Sequence, residues 1–253
     1  MASSAGEAAP YTEPTTGYWQ SLIAAGTLPD SAFAPPWRQG YPARLPDGRV
    51  LMLPIRALPP AAAGAAAANP PAADGARQAV GSLLVNQAAL AVVDELGALL
   101  AQALRPLAPD VLVGLPTLGL TLAAAVARSL GHARYVPLGT SRKFWYDEAL
   151  AAEVVSITSP GQAKRIYLDP HLRPLVQGRR VVLVDDAISS GSTAPPVWDL
   201  LERAGAEVVA YGVAMRQGER WRAALGPARS ARVVGVFDSP LLRLGSEGWV
   251  LRG

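Results

Sequence analysis

The sequence predicts an α/β fold, a mainly parallel sheet with helices on both faces, carrying a small N-terminal appendage built on a β-hairpin. Three observations lead there. From residue 82 onward, short apolar runs alternate with stretches of helical spacing, the order that a parallel sheet with crossover helices requires. The runs at 110–114 and 181–184 are apolar almost throughout instead of alternating, as befits strands covered on both faces. Ahead of this region, Asp47-Gly48 stands between two β-favouring runs, 41–45 and 49–55, the strongest short hairpin signal.

Taken in order, residues 1–15 are small, polar and Pro-containing, and are expected to form a flexible tail. Tyr18, Trp19, Leu22 and Ile23 predict a short amphipathic helix stopped near Gly26. Pro42, Pro46 and Pro54 confine the hairpin strands to a sheet edge, because proline cannot donate to a ladder. Residues 16–58 are therefore read as an appendage or hood. Residues 59–81 begin with a stretch composed almost wholly of Ala, Pro, Gly and Asn, and read as a linker. Residues 82–253 form the α/β core with a C-terminal extension. Within it we expect a long helix at 83–104, a strand at 110–114, a helix at 120–130 and a strand at 134–138. A further strand is expected at 166–168, then a central strand at 181–184, a helix at 195–204, a strand at 207–215 and a last strand at 232–237. Ligands of such sheets bind at the carboxyl ends of strands near a topological switch point, which points to 115–119, 139–143 and 185–193.

Composition narrows the function classes. Half of the residues are hydrophobic and 17% are charged, enough for a packed core. The net charge of +3 comes without any long basic run, so nucleic acid is not demanded as a partner. The absence of cysteine excludes disulfides, thiolate metal sites and thiol nucleophiles. With neither a secretory pattern at 1–10 nor an apolar run of membrane-spanning length, the expectation is a cytoplasmic protein away from the membrane. His132 and His171, the only histidines, fall in polar loops and read as surface residues, not metal ligands.

The chemistry concentrates in 181–193. Val181, Val182, Leu183 and Val184 bury a central strand, and Asp185 and Asp186 stand at its carboxyl end, where burial is costly without partners. Ser189, Ser190, Gly191, Ser192 and Thr193 follow, small residues whose N–H groups and hydroxyls can surround an anion. The helix that starts next turns its positive end to the same spot. Two acids beside a phosphate cradle suit a sugar phosphate. No Gly-x-x-x-x-Gly-Lys-Ser/Thr or Gly-x-Gly-x-x-Gly occurs, so neither a P-loop nor a dinucleotide fold is supported.

The stretch 181–193, with an apolar strand, two acids, two variable apolar positions (Ala187 and Ile188), small polar residues and Gly-x-Thr, resembles the 5-phosphoribosyl diphosphate motif of type I phosphoribosyltransferases. The likeness of the wider fold spans about 82–237. The resemblance implies that Asp185 and Asp186 hold the ribose hydroxyls and that, within a phosphoribosyl diphosphate-binding stretch from Ala187 to Thr193, Ser189, Ser190, Gly191, Ser192 and Thr193 hold the 5′-phosphate. It implies that Leu115, Pro116, Thr117, Leu118 and Gly119 bind pyrophosphate through backbone N–H groups. Arg142 and Lys143, leading into a flap rich in aromatic and polar residues, would neutralise the leaving pyrophosphate, with Lys164 or Arg165 re-entering the site from the flap's far end. Mg²⁺ is implied as cofactor, reached by Asp185 and Asp186 indirectly through ribose hydroxyls or water, and a homodimer is implied as the assembly.

Among acceptors, the resemblance is nearest to adenine-type enzymes, because Ser189 stands where hypoxanthine–guanine enzymes carry a carboxylate. Pro116-Thr117-Leu118 departs from their usual loop. Phe237 and Asp238 could stack on a base and accept an exocyclic amine proton, or serve as core and turn former; Trp249 is a further stacking candidate. The expected activity is transfer of the phosphoribosyl group from phosphoribosyl diphosphate to a nucleobase, a purine such as adenine. The alternative is a regulatory protein that binds phosphoribosyl diphosphate or a nucleotide without transfer.

Overall fold

A computed structural model describes residues 16–58, 76–155 and 163–252. The predicted tail and most of the predicted linker lie outside these residues, as does the far part of the flap, 156–162. In chain order the elements are β1 (Gly40–Arg44), β2 (Val50–Ala57), β3 (Gln78–Gly81), α1 (Leu90–Leu104), β4 (Val111–Gly114), α2 (Leu118–Leu130), β5 (Val136–Pro137), β6 (Ala151–Val155) and β7 (Ala163–Tyr167). They continue with α3 (Arg173–Val176), β8 (Arg180–Ile188), α4 (Ala194–Arg203), β9 (Glu207–Gln217), α5 (Arg220–Ser230), β10 (Val233–Ser239), β11 (Leu241–Leu244) and β12 (Trp249–Leu251).

The expected parallel sheet is present, in the order β10-β9-β8-β4-β5, with every neighbouring pair parallel. Its strands are covered on both faces: Val181 and Leu183 pack into one apolar cluster with Val197, Trp198 and Leu201 of α4. Val182 and Val184 pack into the other, with Leu96 and Leu100 of α1 and Leu122 and Val126 of α2. Each fully buried Val or Leu stabilises the fold by roughly 1.5–3 kcal/mol, and that double burial explains why the runs are unbroken by polar residues. After β4 the chain moves outward to β5; it returns as β8 on β4's other side and continues to β9 and β10. The switch point therefore lies between β4 and β8.

The appendage is an antiparallel sheet in the order β1-β2-β3-β11-β12. The hairpin lies where Asp47-Gly48 puts it, with Gly48 at φ 84°. Four expectations change here. Residues 18–23 are not a helix: Trp19 has φ 61° and is buried, donating from its indole to the Ser82 carbonyl, and Ile23 bridges to Val50. The apolar residues there cap the hairpin's core instead of forming a helical stripe. Residues 232–237 are not the last strand, since β11 and β12 return to the N-terminal sheet. Strand β3, inside the stretch read as linker, is the rung that joins β2 to β11. Pro42 does lie on the edge strand, but Pro54 lies in β2, between β1 and β3. It is tolerated because its carbonyl still accepts the Ser82 N–H at 2.9 Å, while the Ser82 carbonyl that a residue-54 N–H would meet takes the Trp19 indole instead.

In the core, the long helix starts at Leu90, after a separate 3-10 turn at Val85–Gln87. The flap contains an antiparallel hairpin, β6 against β7, of which the sequence reading had only the second strand. Among the described residues no helix is long and apolar enough to cross a membrane.

Candidate functional site

The decisive local feature is a difference in strand length. β4 stops with Gly114 opposite Val184, whereas β8 runs four residues further, to Ile188, paired only with β9. Residues 185–188 thus have a neighbour on one side and open space on the other. A cavity of about 370 Å³ fills that space. The loop after β8 forms one wall, the turn after β4 another, and the β6–β7 hairpin a third.

Asp185 and Asp186 are half-buried on the cavity floor. The Asp185 carboxylate is held at both oxygens: Oδ1 accepts from the Asp186 N–H at 2.9 Å and Oδ2 from the Tyr211 hydroxyl at 2.9 Å. Burial, followed by the Asp186 carboxylate, pushes Asp185 well above the usual carboxylate range, while the Tyr211 hydroxyl pulls the other way. Burial also raises Asp186, and burial together with Asp185 raises the Tyr211 phenol. Two acids share a crowded site with little to neutralise them. That is the environment of a place built to meet hydroxyl donors or positive charge.

Gly119, in the first turn of α2, backs directly onto this pair. A Cβ there would lie 2.7 Å from the Val184 carbonyl oxygen and 2.9 Å from Asp185 Oδ1, so only glycine lets the helix approach. The preceding turn contributes Leu115, Pro116, Thr117 and Leu118 to the wall, and the Pro116–Thr117 peptide is cis. On the other side Ala187, Ile188, Ser189, Ser190, Gly191, Ser192 and Thr193 line the cavity and lead into α4. Gly191 has φ 76°, and a Cβ there would sit 2.9 Å from Trp221 Cα, so both its conformation and its contact exclude a side chain. The Ser190 and Ser192 hydroxyls lie 3.0 Å apart, and the Ser192 N–H donates to Ser190 Oγ.

The basic residues are arranged otherwise than expected. Neither Arg142 nor Lys143 lines the cavity. Arg142 pairs with Glu148 at 3.0 Å, and Glu148 also takes Arg165 at 2.5 Å. Lys164 is the cation that reaches the wall, alongside Ile166 on the same face of β7, while Arg165 points to the opposite face. Phe237 and Asp238 are not brought to the cavity: Phe237 is 3% exposed within the core, and Arg216 binds both oxygens of Asp238, at 2.7 and 3.0 Å. Trp249 packs with Trp37 under the antiparallel sheet. Thr140 lines the wall from within the 139–143 segment that the sequence points to, whereas Val154, Ala194 and Tyr211 went unnoticed in the sequence. A tyrosine inside an otherwise aliphatic central strand was the available signal, since a buried hydroxyl needs a partner.

Comparison with known proteins accords with this geometry. The chain is 33% identical over 109 residues to an adenine phosphoribosyltransferase of Thermobifida fusca, covering 43% of this chain and 58% of that one. It is 34% identical over 99 residues to the enzyme of the same name from Chlorobaculum tepidum, covering 39% and 52%. The chain thus spans little more than half the length of these curated relatives. Among solved structures, APRTase from Giardia lamblia complexed with 9-deazaadenine shares the fold, with TM-score 0.50 and 19% identity over 58% of this chain and 80% of that one. The model of the phosphoribosyl transferase domain matches residues 79–234, more than half of the sequence, and the chain belongs to that family.

Proposed function

We propose that this protein transfers the 5-phosphoribosyl group from phosphoribosyl diphosphate to a purine such as adenine, releasing pyrophosphate. The observation that carries the reading is the cavity at the switch point, where two acids on an overhanging strand face a Ser/Gly/Thr loop and a strand-to-helix turn. In this reading Asp185 and Asp186 accept hydrogen bonds from the ribose hydroxyls, and the backbone and hydroxyls of residues 189–193 hold the 5′-phosphate. The turn at 115–119 receives the diphosphate. Lys164 offsets negative charge that grows on the leaving pyrophosphate as the bond to C1 lengthens, and the acids favour the positive charge that develops on the sugar. Arg142 and Lys143, at the root of the same flap, join only if the flap closes over the diphosphate and excludes water.

Mg²⁺ fits the site as a companion of the substrate. Among the described residues no three His, Cys, Asp or Glu side chains cluster to hold a metal, whereas Asp185 and Asp186 set two carboxyl groups on the cavity floor. The two acids would meet it through ribose hydroxyls or water, and when bound it offsets charge on the diphosphate. The antiparallel sheet would serve as the hood beside the acceptor base, and we extend the family likeness to a homodimer, which sedimentation would test.

One observation favours a second reading, binding without transfer: the basic pair expected to assist departure of pyrophosphate is outside the cavity, with Arg142 engaged by Glu148. Mass detection of nucleotide formed from phosphoribosyl diphosphate, Mg²⁺ and each of adenine, hypoxanthine, guanine, xanthine, uracil and orotate decides between the two. Efficient product from adenine supports the enzyme. Tight binding of phosphoribosyl diphosphate with no product from any base supports the regulator.

A further inference from the structure

A second cavity, of about 340 Å³, lies at the opposite pole of the parallel sheet, by the amino ends of β4, β5 and β8. Asp110, His132, Arg134, Pro174, Leu175 and Arg179 are among its lining residues. They come from four separate segments: the start of β4, the turn from α2 to β5, α3, and the turn before β8. Two guanidinium groups and an imidazole face a single carboxylate. That carboxylate is partly committed, since Asp110 Oδ2 accepts the Arg180 N–H at 2.8 Å.

The arginines here differ from their neighbours. Arg180, next in sequence, binds Glu207 and the Leu107 carbonyl, and Arg128, at the end of α2, binds Asp94. The side chains of Arg134 and Arg179 form no hydrogen bond or ion pair among the described residues. Guanidinium groups present planar forks of donors that match phosphate oxygens in pairs. Two of them at one concave site, beside the apolar wall of Pro174 and Leu175, make a receptor for a phosphate group with a small organic body. We propose that this cavity binds the phosphate group of a small molecule, at a site separate from the one holding Asp185 and Asp186. It grips through side chains and has no glycine loop, so its binding weakens with added salt.

The test follows the Arg134 and Arg179 side-chain Nε–Hε signals by NMR, assigned with Arg134→Lys and Arg179→Lys. Inorganic phosphate and AMP are titrated separately at constant ionic strength, with the Ala133 amide reporting this cavity and the Gly191 amide reporting the other. The expected result is a saturable shift of both arginine signals with a midpoint on the order of 1 mM. In Arg134→Ser/Arg179→Ser the Ala133 response weakens by about tenfold or more, while the Gly191 response is kept, which also shows that the variant is folded. Tighter binding of AMP than of phosphate identifies a nucleotide as the natural source; equal binding identifies the phosphate group alone. Shifts that fail to saturate, that chloride reproduces, or that survive at Ala133 in the double variant overturn the proposal.

Discussion

The end of β8 and the turn after β5 were both expected to deliver charged groups to one site, and only the first does. Asp185 and Asp186 stand on a strand whose pairing with β9 continues through them, so the ladder fixes where each side chain points. Arg142 and Lys143 follow a two-residue strand and lie outside any ladder, exposed, and Arg142 takes the nearest carboxylate, Glu148. A charge carried by a ladder is positioned by backbone hydrogen bonds. A charge on a turn is positioned by whichever partner is within reach. Lys164 bears this out from the opposite direction, because β7 is a ladder strand and its lysine does face the cavity.

The comparison breaks most visibly at its strong end. Asp185→Asn/Asp186→Asn should lower transfer by on the order of 10³-fold with an unchanged circular dichroism spectrum; retained turnover removes these acids from the ribose contacts. Next in size, Lys164→Ala should reduce kcat/KM by about 10²-fold and exceed the effect of Lys143→Ala or Arg142→Ala. The reverse order would mean that flap closure brings the turn into the site. Should Lys143 act in that closure, its alanine variant lowers kcat more than it weakens phosphoribosyl diphosphate binding.

Tyr211→Phe tests the ladder argument inside the strong region. It removes one hydrogen bond to Asp185 at nearly constant volume, and should raise the KM for phosphoribosyl diphosphate by about tenfold with little change in that for the base. An equal rise in both would assign Tyr211 to packing alone. The smallest effect is on stability. Burial holds Asp185's folded pKa above its unfolded value, so the folded state keeps a proton that the unfolded chain has released, and stability falls as pH rises through that window. Asp185→Asn should therefore match the native protein near pH 4 and exceed its Tm by about 3 °C at pH 7. A variant less stable at neutral pH would show that the carboxylate is fully satisfied without ligand.

Particular residues show how far the sequence carries. The unbroken run of Val181, Val182, Leu183 and Val184 announced a strand buried on both faces, and Asp47-Gly48 announced the hairpin, because each depends on chemistry within a few residues of itself. The acids and the small polar loop were readable together for the same reason: one strand and the helix after it supply them all. What could not be read were meetings between distant segments. Nothing near residue 211 says that its hydroxyl will reach Asp185, nothing near 241–251 says that the chain returns to the N-terminal sheet, and Phe237 alone does not reveal which side of β10 faces the core.

Local propensity and apolar patterning sufficed for the parallel sheet, its covering helices, and the place of the acids and the Ser/Gly/Thr loop, since those follow from short-range sterics and from burying apolar runs. The overhang of β8 past β4, the choice of Lys164 over Arg142 at the cavity and the completion of the antiparallel sheet by β11 and β12 arise from strand register and packing between segments far apart in the chain. Those alignments minimise exposed apolar surface and unpaired backbone groups over the molecule as a whole, a condition that no local stretch of residues contains.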